Sequence, residues 1–196
     1  MILYLTIIIV FSIVCAILGC FVAVPMIGVS YGSVFAAIGL CLLGLFIVDA
    51  VVAIVVRLLP KKLYNPFKKL YKVSEKERKF YDKIKIRAWK DKIPETGGLL
   101  VGFSKTKVAD MTNNEYVEKF MYETVYAEVM HFVSIPFSFL VSFIYPKLFL
   151  FVGLILIVGN ILLQLMPVMV QRYNRYKLMI LHKRNSRRIK VEEPKE

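Results

Sequence analysis

Residues 1–59 read MILYLTIIIVFSIVCAILGCFVAVPMIGVSYGSVFAAIGLCLLGLFIVDAVVAIVVRLL, and up to Val56 the only charged side chain is Asp49. A helix rises about 1.5 Å per residue, so about 20 apolar residues cross a bilayer. This stretch is long enough for two passages. Turn-forming residues gather at Gly28-Val29-Ser30-Tyr31-Gly32-Ser33, shortly after Pro25. The reading is a hairpin of helix one, about Ile2–Ile27, and helix two, about Ser33–Leu59.

A second apolar region, Val129 to Val170, is broken only by Tyr145-Pro146-Lys147. It divides into helix three, about Val129–Ile144, and helix four, about Leu148–Val170. Helix three is short for a full crossing, so it crosses with little tilt, thins the bilayer or re-enters. The 196 residues are 58% hydrophobic, with a mean hydropathy of +0.61. That excludes a soluble globular enzyme, a disordered basic tail and a secreted disulfide scaffold. The expected fold is an all-α integral membrane protein with about four transmembrane helices and a basic cytoplasmic segment between helices two and three. Its parts are an N-terminal transmembrane hairpin (1–59), a cytoplasmic or interfacial segment (60–128), a C-terminal transmembrane hairpin (129–170) and a basic tail (171–196).

Charge gives the orientation. After helix two come Arg57, Lys61, Lys62, Lys68, Lys69 and Lys72; after helix four come Arg172, Arg175, Lys177, Lys183, Arg184, Arg187 and Arg188; the outer turns carry only Lys147. Lys and Arg stay on the cytoplasmic side. Both termini and the middle segment are therefore expected to face the cytoplasm of a bacterial cell, with the chain crossing the inner membrane several times. The net charge of +13 comes from residues 57–131, with 17 basic against 10 acidic side chains, and residues 171–196, with 9 against 3. Each basic residue beside a membrane attracts anionic headgroups by about 1 kcal/mol, so membrane lipids are the expected partners. Nucleic acid is not, because the charge is confined to membrane-proximal segments and no nucleic-acid fold signature is present. The oligomeric state is open, a homo-oligomer included.

Met1–Ile27 lacks a positive n-region and stays apolar too long for a cleaved signal. Ile17-Leu18-Gly19-Cys20 has the form of a lipoprotein cleavage box, but apolar residues continue past it. Cys15, Cys20 and Cys41 lie inside spans without metal-ligand spacing and read as small hydrophobes. In the middle segment, Lys76–Lys90 mixes charges with Phe80, Tyr81 and Trp89, as an interfacial amphipathic helix does. Ile93-Pro94-Glu95-Thr96-Gly97-Gly98 reads as a turn or loop, and Leu99–Lys105 as a strand, a re-entrant piece or a membrane-lying loop. Asn113-Asn114 starts a helix, with Glu115 and Glu118 at its positive end, that runs through His131 and onward into helix three.

Two groups of residues could carry chemistry. On the helix through His131, Tyr116, Phe120, Glu123, Thr124, Ala127, Glu128 and His131 share one face, and Glu128 and His131 are three apart. A carboxylate beside an imidazole orients it and raises its basicity, as a general base needs. The plainer alternative is a solvated charged face at the lipid boundary. A metal site is a third, since Glu-x-x-His is half of a di-iron signature; only one copy exists, and no metal is expected. On helix four, Asn160, Gln164, Gln171 and Asn174 make a polar stripe ending beside Arg175. Intramembrane amides bond between helices or line a polar substrate group. Arg172 and Arg175 suit a phosphate or carboxylate, or serve simply as positive anchors. Asp49 is the one charge deep in a span, with a packing and a functional role equally open.

The strings Phe80-Tyr81…Ile86-Arg87-Ala88-Trp89-Lys90-Asp91-Lys92-Ile93-Pro94, Glu123-Thr124-x-x-Ala127-Glu128-x-x-His131 and Pro167-Val168-Met169-Val170-Gln171-Arg172-Tyr173-Asn174-Arg175 resemble the glycosyl-4,4'-diaponeurosporenoate acyltransferase family, small bacterial membrane proteins of carotenoid-glycolipid synthesis. The chain departs from that pattern at Phe132, where the family has tryptophan, and at Tyr176, where it has proline. The resemblance implies a membrane O-acyltransferase moving a fatty acyl group to a hydroxyl of a membrane glycolipid. The donor is an acyl thioester, acyl-CoA or acyl carrier protein, used as co-substrate; no bound cofactor is expected. His131 is then the base, with Glu128 or Glu123 orienting it. Arg172, Arg175, Asn174, Gln171, Asn160, Gln164 and Trp89 are the substrate-binding candidates. The alternative is a non-enzymatic membrane subunit or lipid-binding adaptor in which the charged cluster is a structural ion-pair network.

Overall fold

The computed structural model describes residues 2–93 and 112–192. The turn expected at Pro94–Gly98 and the strand or re-entrant piece expected at Leu99–Lys105 lie outside them. Among the described residues the fold is all-α without strands, and four helical stretches are long and apolar enough to cross a membrane: Ile2–Ile27, Tyr31–Leu58, Asn114–Phe143 and Pro146–Arg188. In hydrocarbon only internally hydrogen-bonded backbone is stable, which is why the long apolar runs become helices.

The first stretch, α1 (Ile2–Ile27), widens into a π-turn at Gly19–Ala23, where the N–H of Val24 reaches the carbonyl of Gly19. Pro25 has no N–H to return to the carbonyl four residues back, and a wide turn ahead of it relieves that mismatch. The helix stops at Gly28, whose φ of 67° is left-handed and costs glycine nothing. Ser30 then opens α2 (Tyr31–Leu58), its Oγ accepting from the N–H of Ser33 at 3.1 Å. The expected turn is thus present, and α2 begins two residues earlier than the sequence suggests.

Helix α3 (Glu75–Lys83) starts with a capping box: Ser74 Oγ accepts from the N–H of Glu77 at 3.2 Å. The single amphipathic helix expected over Lys76–Lys90 is two pieces. Lys85 adopts φ 51°, and a short helix, α4 (Ile86–Trp89), follows. Helix α5 (Asn114–Phe137) begins at Asn113, whose Oδ1 accepts from the N–H groups of Glu115 (2.9 Å) and Tyr116 (3.4 Å). It runs without a break through His131. After Pro136 it tightens into a 3₁₀ stretch, Ser138–Phe143. A turn at Tyr145, a 3₁₀ turn Pro146–Leu148 and a π-turn Phe149–Gly153 lead into α6 (Leu154–Glu192).

The chain divides into two compact units, Met1–Leu58 with Met130–Pro167, and Leu59–Val129 with Val168–Glu196. The first has a core of small and branched side chains, among them Cys15, Ala23, Ala37, Cys41, Val141, Val152 and Ile157. Its outward residues, such as Ile9, Phe21, Phe46, Ile54, Phe143 and Leu150, stay exposed, as lipid-facing residues do. All three cysteines are free, and Cys15 and Cys41 are buried. The second unit packs Val117, Phe120, Met121 and Leu178 together and stacks Tyr64 on Tyr126 at 4.1 Å between ring centres.

Close helix approach in the first unit depends on glycine. A Cβ on Gly159 would lie 2.8 Å from Cγ of Phe11, and one on Gly44 would lie 2.8 Å from Cδ1 of Ile144. The Phe11 atom is the fixed base of a ring and cannot swing aside. Gly159→Ala is therefore expected to cost about 1–3 kcal/mol of overpacking, read as a lowered melting temperature of the detergent-solubilised protein.

Candidate functional site

The candidate residues gather into two polar clusters, one in each unit. In the second unit, α6 presents Arg172 and Arg175, three residues apart and so on one face. Arg172 grips Glu77 of α3 in bidentate fashion, Nε to Oε1 at 2.5 Å and Nη2 to Oε2 at 2.9 Å, and donates through Nη1 to Oε1 of Glu128 at 2.6 Å. Arg175 donates through Nη2 to the other oxygen of Glu128 and through Nε to the carbonyl of Tyr71 at 2.9 Å. Thr124 Oγ1 lies 3.4 Å from its Nη1.

Two carboxylates thus neutralise two guanidinium groups, and Arg175 is wholly out of solvent. A buried charge is tolerable only when paired and hydrogen-bonded, and the planar fork of arginine supplies both at once. Tyr81 donates its hydroxyl to Glu77 and sets its ring edge-on to Tyr173. Burial alone would lift the Glu77 carboxyl. The bonds from Arg172, the Tyr81 hydroxyl and the Arg172 charge outweigh it and hold the group below its usual range. Burial, and after it the same carboxylate, pushes the Tyr81 hydroxyl up.

In the first unit, three helices contribute a second cluster. His131 Nδ1 lies 2.6 Å from Oε1 of Gln164. Gln164 Nε2 donates to Oδ2 of Asp49 at 2.7 Å and approaches Oδ1 of Asn160 at 3.4 Å. Ser134, one turn beyond His131, sits next to the Asp49 carboxylate. Asn160 Nδ2 is buried here without a hydrogen-bond partner among the described residues. A polar atom left unanswered in an apolar interior is costly.

The remaining candidates fall as follows. The structure joins Glu128 to Arg172 and Arg175, and His131 to Gln164, Asn160 and Asp49. Both oxygens of Glu128 are taken by guanidinium groups, and the partner at Nδ1 of His131 is an amide. Glu123 is half-buried on α5, and Gln171 and Asn174 are half-buried on α6 beside the arginines. Trp89 is half-buried, its indole N–H bonded to the carbonyl of Ile84 at 3.0 Å. No group of three metal-ligating side chains occurs among the described residues. The sequence reading missed Glu77, although the Ser74-x-x-Glu77 spacing marks it as the residue of a helix's first turn. It also missed Ser134, which carries no signal beyond lying three residues after His131.

Four helices long and apolar enough to cross a membrane, with an imidazole and an aspartate joined through an amide among them, fit a membrane protein with a buried polar cluster. A family model described as glycosyl-4,4'-diaponeurosporenoate acyltransferase (CrtO) matches residues 60–184, more than half of the chain. The chain belongs to that family. No curated protein and no solved structure matches it.

Two outcomes follow from the ion-pair cluster. Arg175→Met strands part of the Glu128 charge and is expected to cost about 3–5 kcal/mol; Arg175→Lys restores little, since a single ammonium lacks the planar fork that meets Glu128 and the Tyr71 carbonyl from two separate nitrogens. Chemical denaturation in detergent reads both. Glu77, depressed below its ordinary 4.5, contributes stability that is complete above that value and is lost as the pH falls through its lower folded value. A melting series into the acid range should show that loss in the wild type and not in Glu77→Gln.

Proposed function

We propose that the protein is an O-acyltransferase that moves a fatty acyl group from a thioester donor to a hydroxyl of a membrane glycolipid at the cytoplasmic face of the inner membrane. The observation that carries this reading is the 2.6 Å contact between His131 Nδ1 and Gln164, which anchors one ring nitrogen and leaves Nε2 for a substrate. Family membership supports the transfer of an acyl group; the imidazole supplies a base for it.

In the proposed step the acceptor oxygen attacks the thioester carbonyl while its proton passes to Nε2 of His131. The tetrahedral oxyanion collapses, the C–O bond stays and the C–S bond breaks. The departing thiolate takes the proton back from the imidazolium. The step uses no enzyme nucleophile. Glu77 and Glu128 occupy Arg172 and Arg175, so these arginines are assigned to holding the second unit together rather than to a substrate anion.

Other basic side chains remain for anionic partners. Lys61, Lys62, Lys68, Lys69, Lys72, Lys76 and Lys79 are exposed, interleaved with exposed Leu63, Phe67, Leu70 and Phe80. Such a surface suits anionic headgroups, and positive-inside bias assigns it to the cytoplasmic side together with both termini. Acyl-CoA or acyl carrier protein, itself anionic, is the proposed donor.

The test is His131→Ala. Acyl transfer from a long-chain thioester to a glycolipid is expected to fall by about 10²–10⁴, the usual contribution of a general base, with membrane insertion unchanged. Full activity in that variant would leave a lipid-binding adaptor as the reading of this fold.

A further inference from the structure

Asp49 lies outside residues 60–184, which the family model matches, yet it is bonded to the group that holds His131. An aspartate inside an apolar helix costs about 2.5–3.5 kcal/mol on insertion scales, so its presence calls for a role. The hydrogen-bond directions along the chain of three residues supply one.

Gln164 has two amide hydrogens and one carbonyl oxygen. Its Nε2 faces two oxygens, Oδ2 of Asp49 at 2.7 Å and Oδ1 of Asn160 at 3.4 Å, so both hydrogens point to acceptors. With Asp49 ionised, turning the amide over would set its carbonyl oxygen against the carboxylate, acceptor against acceptor. The carbonyl oxygen must therefore face His131, and an oxygen that only accepts requires a donor at Nδ1. The neutral ring then carries its hydrogen on Nδ1, and Nε2 has the lone pair.

We infer that Asp49 is a positioning residue: acting through Gln164, it fixes the His131 tautomer in which Nε2 is the proton-accepting nitrogen. The inference rests on the acyl-transfer reading only for its effect on rate; the tautomer itself is independent of any reaction. Without Asp49 the Gln164 amide can present either end, the ring can carry its hydrogen on either nitrogen, and part of the population offers Nε2–H to the substrate.

The 196-residue chain has two histidines, so nitrogen-15 labelling of histidine in detergent gives a simple spectrum, and His182→Gln assigns it. At alkaline pH the wild type is expected to show His131 with a protonated Nδ1 and an unprotonated Nε2. Asp49→Asn should move it to a mixture, and Asp49→Glu should restore part of the original signature. Melting temperatures check that each variant is folded. In the acyl-transfer assay Asp49→Asn should lose more than about tenfold in kcat, within the ~10⁴ that a wrong tautomer costs an aspartate–histidine pair, with KM for donor and acceptor unchanged.

A wild-type imidazole protonated on Nε2, or a folded Asp49→Asn variant with the wild-type tautomer, overturns the inference. Absence of acyl transfer in the wild type, with the tautomer shifting as described, would instead remove the acyl-transfer reading and leave the positioning role of Asp49 standing.

Discussion

An imidazole inside an apolar bundle has no water to satisfy its N–H, and His131 meets that requirement through one amide, Gln164. The amide in turn needs acceptors for its own hydrogens and finds them in Asp49 and Asn160. Each link exists because the alternative is an unanswered polar group in a low-dielectric interior, where the cost is several-fold that at a surface. The result is a ring whose position and orientation are set by three helices at once. Under the proposed acyl-transfer function, a base held in this way would lose little freedom when a substrate arrives, which is the condition for efficient proton transfer.

The second unit answers the same constraint with full charges. Glu77, Glu128, Arg172 and Arg175 come from three helices and cancel one another, so a wholly buried guanidinium becomes tolerable. Such a network contributes little net stability over a hydrophobic core, but breaking it is expensive. It ties α3, α5 and α6 together through these four side chains.

Much of the fold was legible because apolar length and turn residues dominate a membrane protein's local energetics. The hairpin turn at Gly28–Ser33, the start at Asn113 and the interruption at Tyr145-Pro146 all follow from residue chemistry. The division of Lys76–Lys90 was not legible, because the left-handed residue is Lys85, and lysine gives no hint of that conformation where glycine or asparagine would. The site was legible as a set of residue types: His131, Glu128, the arginine pair, the Asn160/Gln164 stripe and Asp49 all stand out as polar groups in apolar surroundings. Their pairing was not. Spacing along α5 suggests Glu128 as the partner of His131, but Glu128 meets the arginines and Gln164 reaches His131 from α6. Which acid meets which base depends on how distant helices pack, and that information is spread over the small and branched residues of the helix faces.

The most direct test of the account is to supply purified wild-type protein with a long-chain acyl thioester and a membrane glycolipid and to measure ester and free thiol together. Direct transfer to a hydroxyl activated by His131 predicts one ester formed for each thiol released, and neither when the glycolipid is left out. Thiol release without an acceptor, an acylated protein, or no ester at all would contradict it.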